Sequence, residues 1–264
     1  MKHQRLIWLL AGLVCWAFAL AAIRQVWFQR ATDPTWERMR SSGTMRVCME
    51  AAYPPFGLVD AAGNFSGFDV DLARELASRW GLQVEFVNLH FDGLYDALLT
   101  DKCEMIISAL PYDETLTEDV LYSPSYFNAG LLLAVRQDER RIRGVNQLGG
   151  KKVGGERGSA AELEARRHLE QGRIPLQVVT YPGAIEALTA LRDGAVDAAI
   201  ADSVNVYHFA RDPGGIRYVK RFLSDEQYVI ALRPGSGYTW KRLADEIARL
   251  TRQGFFKTLQ ARWF

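Results

Sequence analysis

The residues able to do chemistry in this chain are carboxylates set among aromatic rings. Glu50 and Asp202 each stand where a short apolar run ends, Met45 to Met49 for the first and Val196 to Ala201 for the second. Asp113 and Glu114 follow Tyr112, and Tyr53, Phe56 and Phe91 supply further rings. Carboxylates beside aromatic faces suit a cation, through charge pairing and through the ring quadrupole, which contributes about 0.5–2 kcal/mol per ring. Acids at strand ends are badly placed for packing, so Glu50 and Asp202 lead the candidates. Tyr53 and Phe56, beside Pro54 and Pro55, read equally as ligand contacts or as turn packing, and Asp113 and Glu114 read also as solvated loop charges. Glu104 and Asp197, which precede their strands, read as solvent-facing connectors. The chain shows no nucleophile–base pair at a recognisable spacing, no phosphate-binding glycine loop and no metal cluster. A binding protein without cofactor or metal is therefore expected, not an enzyme.

The elements that must position these residues follow from periodicity. Met45 to Met49 predicts a strand, and Leu72, Ala73, Leu76, Ala77 and Trp80 recur at helical spacing until Gly81 stops them, with Asp69 as the expected cap. Leu82 to Asn88, Glu104 to Ser108, Leu131 to Val135, Lys152 to Gly154, Gln177 to Thr180, Val196 to Ala201 and Tyr228 to Leu232 read as strands. Asp92 to Thr100, Ser159 to Gln171, Gly183 to Arg192, Tyr238 to Leu250 and Phe255 to Trp263 read as helices. Short apolar strands alternating with helices call for parallel-rich sheets.

The chain also echoes itself. Ala97 to Glu104 and Ala190 to Asp197 share one pattern, each ending in an acid and leading into an apolar strand. Two such units predict two similar α/β lobes, the first built from residues 45–133 plus 230–264 and the second from 134–229. Leu131 to Val135 and Tyr228 to Leu232 are read as edge strands of the second lobe and as the two crossings of a hinge. Parallel strands with right-handed crossovers then bring Ser108 and Asp202 to strand ends facing a shared cleft.

The runs RVCMEAAYPPF, GFDVDLARELA, FDGLYDALLTDKCEMIISA, GGKKVGGERGSAAE and AVDAAIADS together resemble the family 3 periplasmic solute-binding proteins, the receptors for polar amino acids in ABC importers. The resemblance implies a two-lobe clamp that delivers a small solute to an inner-membrane permease. It implies ligand contacts at Glu50, Tyr53, Phe56, Ser108 and Asp202, with Asp202 as the amine partner in the second lobe. The carboxylate side departs from the family pattern: Leu116 stands where these receptors usually carry an Arg, and Gly158-Ser159-Ala160 keeps a single hydroxyl. A leucine cannot form a bidentate fork with a carboxylate. The expected ligand is therefore an amine or other cation with no obligatory carboxylate, with Phe91, Tyr112, Asp113 and Ser159 completing the candidate contacts; the alternative left open is a carboxylate held from the other lobe by Arg157. Two other readings attach to the same resemblance, an accessory protein of a periplasmic quinoprotein dehydrogenase and a dehydratase-type enzyme on the same fold.

Composition bounds the rest. Of 264 residues 48% are hydrophobic and 24% charged, with a net charge of +1, so no basic field points to nucleic acid. Lys2 and Arg5 precede an apolar run from Leu6 to Ile23, which reads as a signal peptide or an uncleaved anchor. Residues 24–44 read as a polar tether. The soluble part is thus expected in the periplasm, as a monomer. Cys15 belongs to the export segment, and Cys48 with Cys103 reads either as a disulfide or as two buried thiols.

Overall fold

The computed structural model describes residues 16, 33–170, 174–212 and 215–264. The export segment and Cys15 lie outside the described residues apart from Trp16, as do residues 24–32 of the expected tether and Gly172.

Where the tether was expected to run on to residue 44, the chain instead forms helix α1 (Pro34–Ser42). Asp33 caps it, accepting from the Trp36 N–H, and Pro34 occupies the first helical position, where a missing N–H costs nothing. Strand β1 (Thr44–Met49) follows, then a small meander of β2 (Ala52–Tyr53), β3 (Gly57–Val59) and β4 (Phe65–Ser66). Helix α2 (Phe68–Trp80) begins at Gly67, not Asp69. Gly67 has φ of +136°, and a side chain there would lie 2.1 Å from the Phe56 carbonyl oxygen, so only glycine fits. Asp69 is buried in the first turn, and its Oδ2 accepts the Ala109 N–H. Strand β5 (Gln83–Asn88), helix α3 (Leu94–Leu99), β6 (Met105–Ile106) and β7 (Leu121–Tyr122) complete this stretch.

The second stretch contains β8 (Phe127–Asn128), β9 (Leu131–Arg136), β10 (Lys152–Glu156), α4 (Ala160–Glu170), β11 (Gln177–Tyr181), α5 (Ala184–Arg192), β12 (Ala198–Asp202), α6 (Ser203–Ala210), β13 (Ile216–Tyr218) and β14 (Gln227–Tyr228). The chain then returns through β15 (Ala231–Leu232), α7 (Gly237–Arg252) and α8 (Phe255–Trp263). It divides into unit 1, residues 1–124 with 229–259, and unit 2, residues 125–228 with 260–264.

Each unit is built on a five-stranded sheet, ordered β5-β1-β6-β15-β7 in unit 1 and β11-β10-β12-β9-β13 in unit 2. The first three strands of each order are parallel and the remaining pairings antiparallel. The echo in the sequence thus has a structural counterpart strand for strand. β9 is not an edge strand or a crossing: it lies between β12 and β13. Leu131, Leu133 and Val135 join one core cluster, with Ala161 and Ala165 of α4, while Leu132 and Ala134 join another, with Leu188 and Leu191 of α5. A strand apolar on both faces belongs in a sheet interior.

In unit 1 the bridge between Cys48 and Cys103 is formed, with Cα atoms 5.7 Å apart. It joins a core that includes Leu94, Leu98, Ile106 and Ala231. Glu104 is buried, at 1% exposure, and not a solvent-facing connector. Its carboxylate accepts the Arg46 backbone N–H at 2.9 Å and the Arg46 guanidinium at 2.5 and 3.2 Å, and pairs with Arg38 at 3.3 Å. Asp197, its counterpart in unit 2, accepts the Lys152 N–H at 2.9 Å. In both units the acid before β6 or β12 thus accepts a backbone N–H from the neighbouring parallel strand, β1 or β10.

Candidate functional site

The matched strands set two equivalent corners, each described within its own unit. In unit 1, Glu50 follows β1 directly. Its N–H donates to the Ser108 hydroxyl at 2.9 Å, and its carboxylate lies 3.8 Å from His90 Nδ1. Ser108 is nearly buried, so its hydroxyl ties two strand ends together. The next residue, Ala109, has φ of +44°, a strained setting for a non-glycine residue, and its N–H is held by Asp69.

The rings divide. Tyr53 is exposed and stacks on Phe56 at 5.8 Å, but Phe56 itself is 1% exposed and packs against Phe68. Phe56 is therefore a core support under Tyr53, not a surface ring. Phe91 is exposed. Tyr112 is exposed with its ring edge-on to Tyr122, whose hydroxyl shares a 2.7 Å hydrogen bond with Tyr95. Asp113 caps a short 3-10 turn, accepting from the Thr115 N–H and hydroxyl, and these bonds lower its pKa. Its lone pairs serve that turn.

Unit 2 carries a cavity of about 380 Å³ at the carboxyl ends of β10 and β12. Asp202 ends β12 and caps α6, its two oxygens accepting from the Asn205 N–H at 2.9 Å and side-chain amide at 2.7 Å. Those bonds fix the carboxylate's direction. Ser159 stands at the start of α4, donating to the Glu156 carbonyl and accepting from the N–H groups of Ala161 and Glu162. Both residues line the cavity, with Glu156, Asp225 and Glu226. Arg157, next in the chain to Glu156, is exposed and does not line the cavity; its backbone N–H donates to the Tyr181 carbonyl. Among the described residues no Lys, Arg or His lines this cavity.

Sequence reasoning reached Asp202 and Ser159 and passed over Glu156, Asp225 and Glu226. Glu156 ends β10 as Glu50 follows β1, but the spacing of the sequence echo, from Glu104 to Asp197, does not align the two; the strand registers do, pairing Val47 with Met105 and Val153 with Ala198. Asp225 and Glu226 sit in a polar loop that reads as solvated. Pairing of β14 with β8, and donation by the Glu226 N–H to Asn128 Oδ1, bring that loop to the cavity. Gly130 permits the approach, because a Cβ there would lie 2.0 Å from the Ser224 carbonyl oxygen. Asp225 accepts from the Asn128 amide at 2.7 Å. Burial, and secondly the charge of Asp202, raise the Glu226 carboxyl above its usual range. Much of the Glu226 residue still meets solvent, so the shift is modest in energy.

A family model described as bacterial extracellular solute-binding proteins, family 3, matches residues 45–264. The L-arginine-binding protein of Pseudomonas aeruginosa is 32% identical over 228 residues, spanning 83% of this chain and 87% of that protein. Among solved structures, an ancestral cationic amino acid solute binding protein is 25% identical with a TM-score of 0.65, spanning 87% of this chain and 99% of that one. The L-cystine solute receptor of Neisseria gonorrhoeae, in an unliganded open conformation, is 22% identical with a TM-score of 0.76, spanning 87% and 96%, and supports the fold.

Proposed function

Since the chain belongs to the bacterial extracellular solute-binding proteins of family 3, we propose that it captures a small amine-bearing solute in the periplasm and hands it to the inner-membrane permease of an ABC importer. The observation that carries this reading is the unit 2 cavity, lined by Glu156, Asp202, Asp225 and Glu226 with no basic side chain among the described residues. Carboxylates gathered in one cavity stabilise a cation, and they repel an anion that brings no partner of its own. Asp202, oriented by Asn205, is the carboxylate best placed to meet an ammonium group.

Unit 1 offers the same chemistry at its own strand ends, in Glu50 and the exposed Tyr53 ring. Leu116 is only partly buried and supplies no charge for a carboxylate. The arginine relative and the cationic amino acid neighbour agree with a positively charged guest. The segment from Leu6 to Ile23 is proposed to export the chain, whether cleaved or retained as a tether.

A thermal-shift screen of amines, amino acids and small acids tests the reading. A binder present at 100 times its Kd adds about 2.7 kcal/mol of stability. Amines are expected to raise the midpoint and acidic solutes to leave it unmoved; stabilisation by acids alone would contradict the proposal.

A further inference from the structure

We infer that the unit 2 cavity selects a solute with two separated positive charges, and that Glu226 is the residue that reads the second. This rests on the proposal that the cavity takes an amine. The cavity has more negative charge than one ammonium needs. Asp202 suffices for the first cation, and its direction is fixed by Asn205. Asp225 has a partner in the Asn128 amide. Glu156 and Glu226 also line the cavity, and neither side chain has a hydrogen bond or ion pair with another described residue. A guest with a single positive charge at Asp202 leaves Glu226 and Glu156 in the same cavity without a counter-charge, and a second cationic group supplies one.

The walls support a spacer between the charges. Leu131, Ala160, Ala161, Ala184, Ile200 and Ala201 line the same cavity with apolar surface. A short alkyl chain carrying an ammonium at one end and an ammonium or guanidinium at the other matches acids set around an apolar wall. The volume of about 380 Å³ is within the range of small-molecule sites. The Glu226 carboxyl is raised first by burial and secondly by the charge of Asp202, which lines the same cavity.

The test is calorimetric titration of the purified full-length protein with butane-1,4-diamine and with butylamine, which differ only in the second charge. The wild type is expected to bind the diamine at least tenfold more tightly. Glu226→Gln is expected to lower diamine affinity at least tenfold and butylamine affinity less than threefold; Glu226→Ala provides the same comparison should the first variant fold poorly. Equal affinity for the two amines, or equal losses on substitution, would overturn the inference and leave the amine reading standing. Binding of neither amine would overturn both.

Discussion

At the scale of single residues, Asp202 has two duties that a conservative change can separate. It caps α6 and it supplies charge to the cavity. Asn caps a helix about as well as Asp but can replace only one of the two oxygens that accept from Asn205, so Asp202→Asn should cost about 0.5–1.5 kcal/mol of stability. The same change removes a charge-assisted contact worth about 1.5–3 kcal/mol, a loss of roughly tenfold to a hundredfold in amine affinity. Thermal unfolding and calorimetry on one sample check both halves. Glu226 behaves in the opposite sense. Its folded carboxyl is raised by burial and by Asp202, so its contribution to stability is present at low pH and is lost as pH rises through the folded value. The groups lining the cavity around it are Asp202, Glu156 and Asp225, all acidic. Glu226→Gln should therefore raise the midpoint of the unliganded protein at pH 7, by no more than about 2 °C given its exposure, and amine affinity of the wild type should fall as the solution is acidified. Asp202 was legible because it ends an apolar run. Glu226 was not, because only the backbone pairing around Asn128 distinguishes it from any solvated loop acid.

Secondary elements were legible where a single period dominates, as in α2, β9, β12 and α7. They were obscure where tertiary contacts decide. Helix α1 begins in a stretch that reads as polar, and what holds it is Asp33, which also accepts the Thr239 N–H from α7, together with Trp36 set edge-on against Trp80. Helix α6 was missed because β12 runs into it with no turn residue between them; Asp202 is both strand end and cap. The meander β2–β4 consists of strands of two or three residues, too short for alternation to show. The role of β9 was misread because an apolar strand alone does not reveal whether it is central or peripheral. The acid before the third strand is an element-scale device: it ties a helix-to-strand turn to the neighbouring strand's backbone. Glu104 is the buried version, shared by Arg46 and Arg38. Glu104→Ala removes the carboxylate that Arg46 donates to and one of the two that Arg38 pairs with, Asp101 remaining; with both guanidinium groups partly exposed it should cost about 1–3 kcal/mol, measured by urea unfolding. Asp197, half-exposed in the corresponding place, should cost less on the same substitution.

For the molecule as a whole, the chain passes between the two units after Pro124, Tyr228 and Leu259. Each unit has its own sheet and core, so unfolding need not be a single transition. The disulfide lies wholly within unit 1 and closes a loop across a separation of 55 residues, for which chain entropy gives about 4 kcal/mol. Reduction, or a Cys48→Ala/Cys103→Ala double variant, should therefore lower the unit 1 transition and leave unit 2 in place, as followed by calorimetry. The repeated strand order explains why one resemblance in sequence runs through both units, and why Glu50 and Glu156 come to equivalent strand ends. The ligand was less legible than the fold: Leu116 in place of the usual Arg argues against the customary carboxylate fork, while the carboxylates that support the proposed amine come together only in three dimensions. The most direct measurement is a paired titration with arginine and with agmatine, its counterpart without the carboxylate. If the guest is held by positive charge, the two should bind within about tenfold of each other, a difference of no more than about 1.4 kcal/mol. Tight binding of arginine with no detectable binding of agmatine would contradict that account.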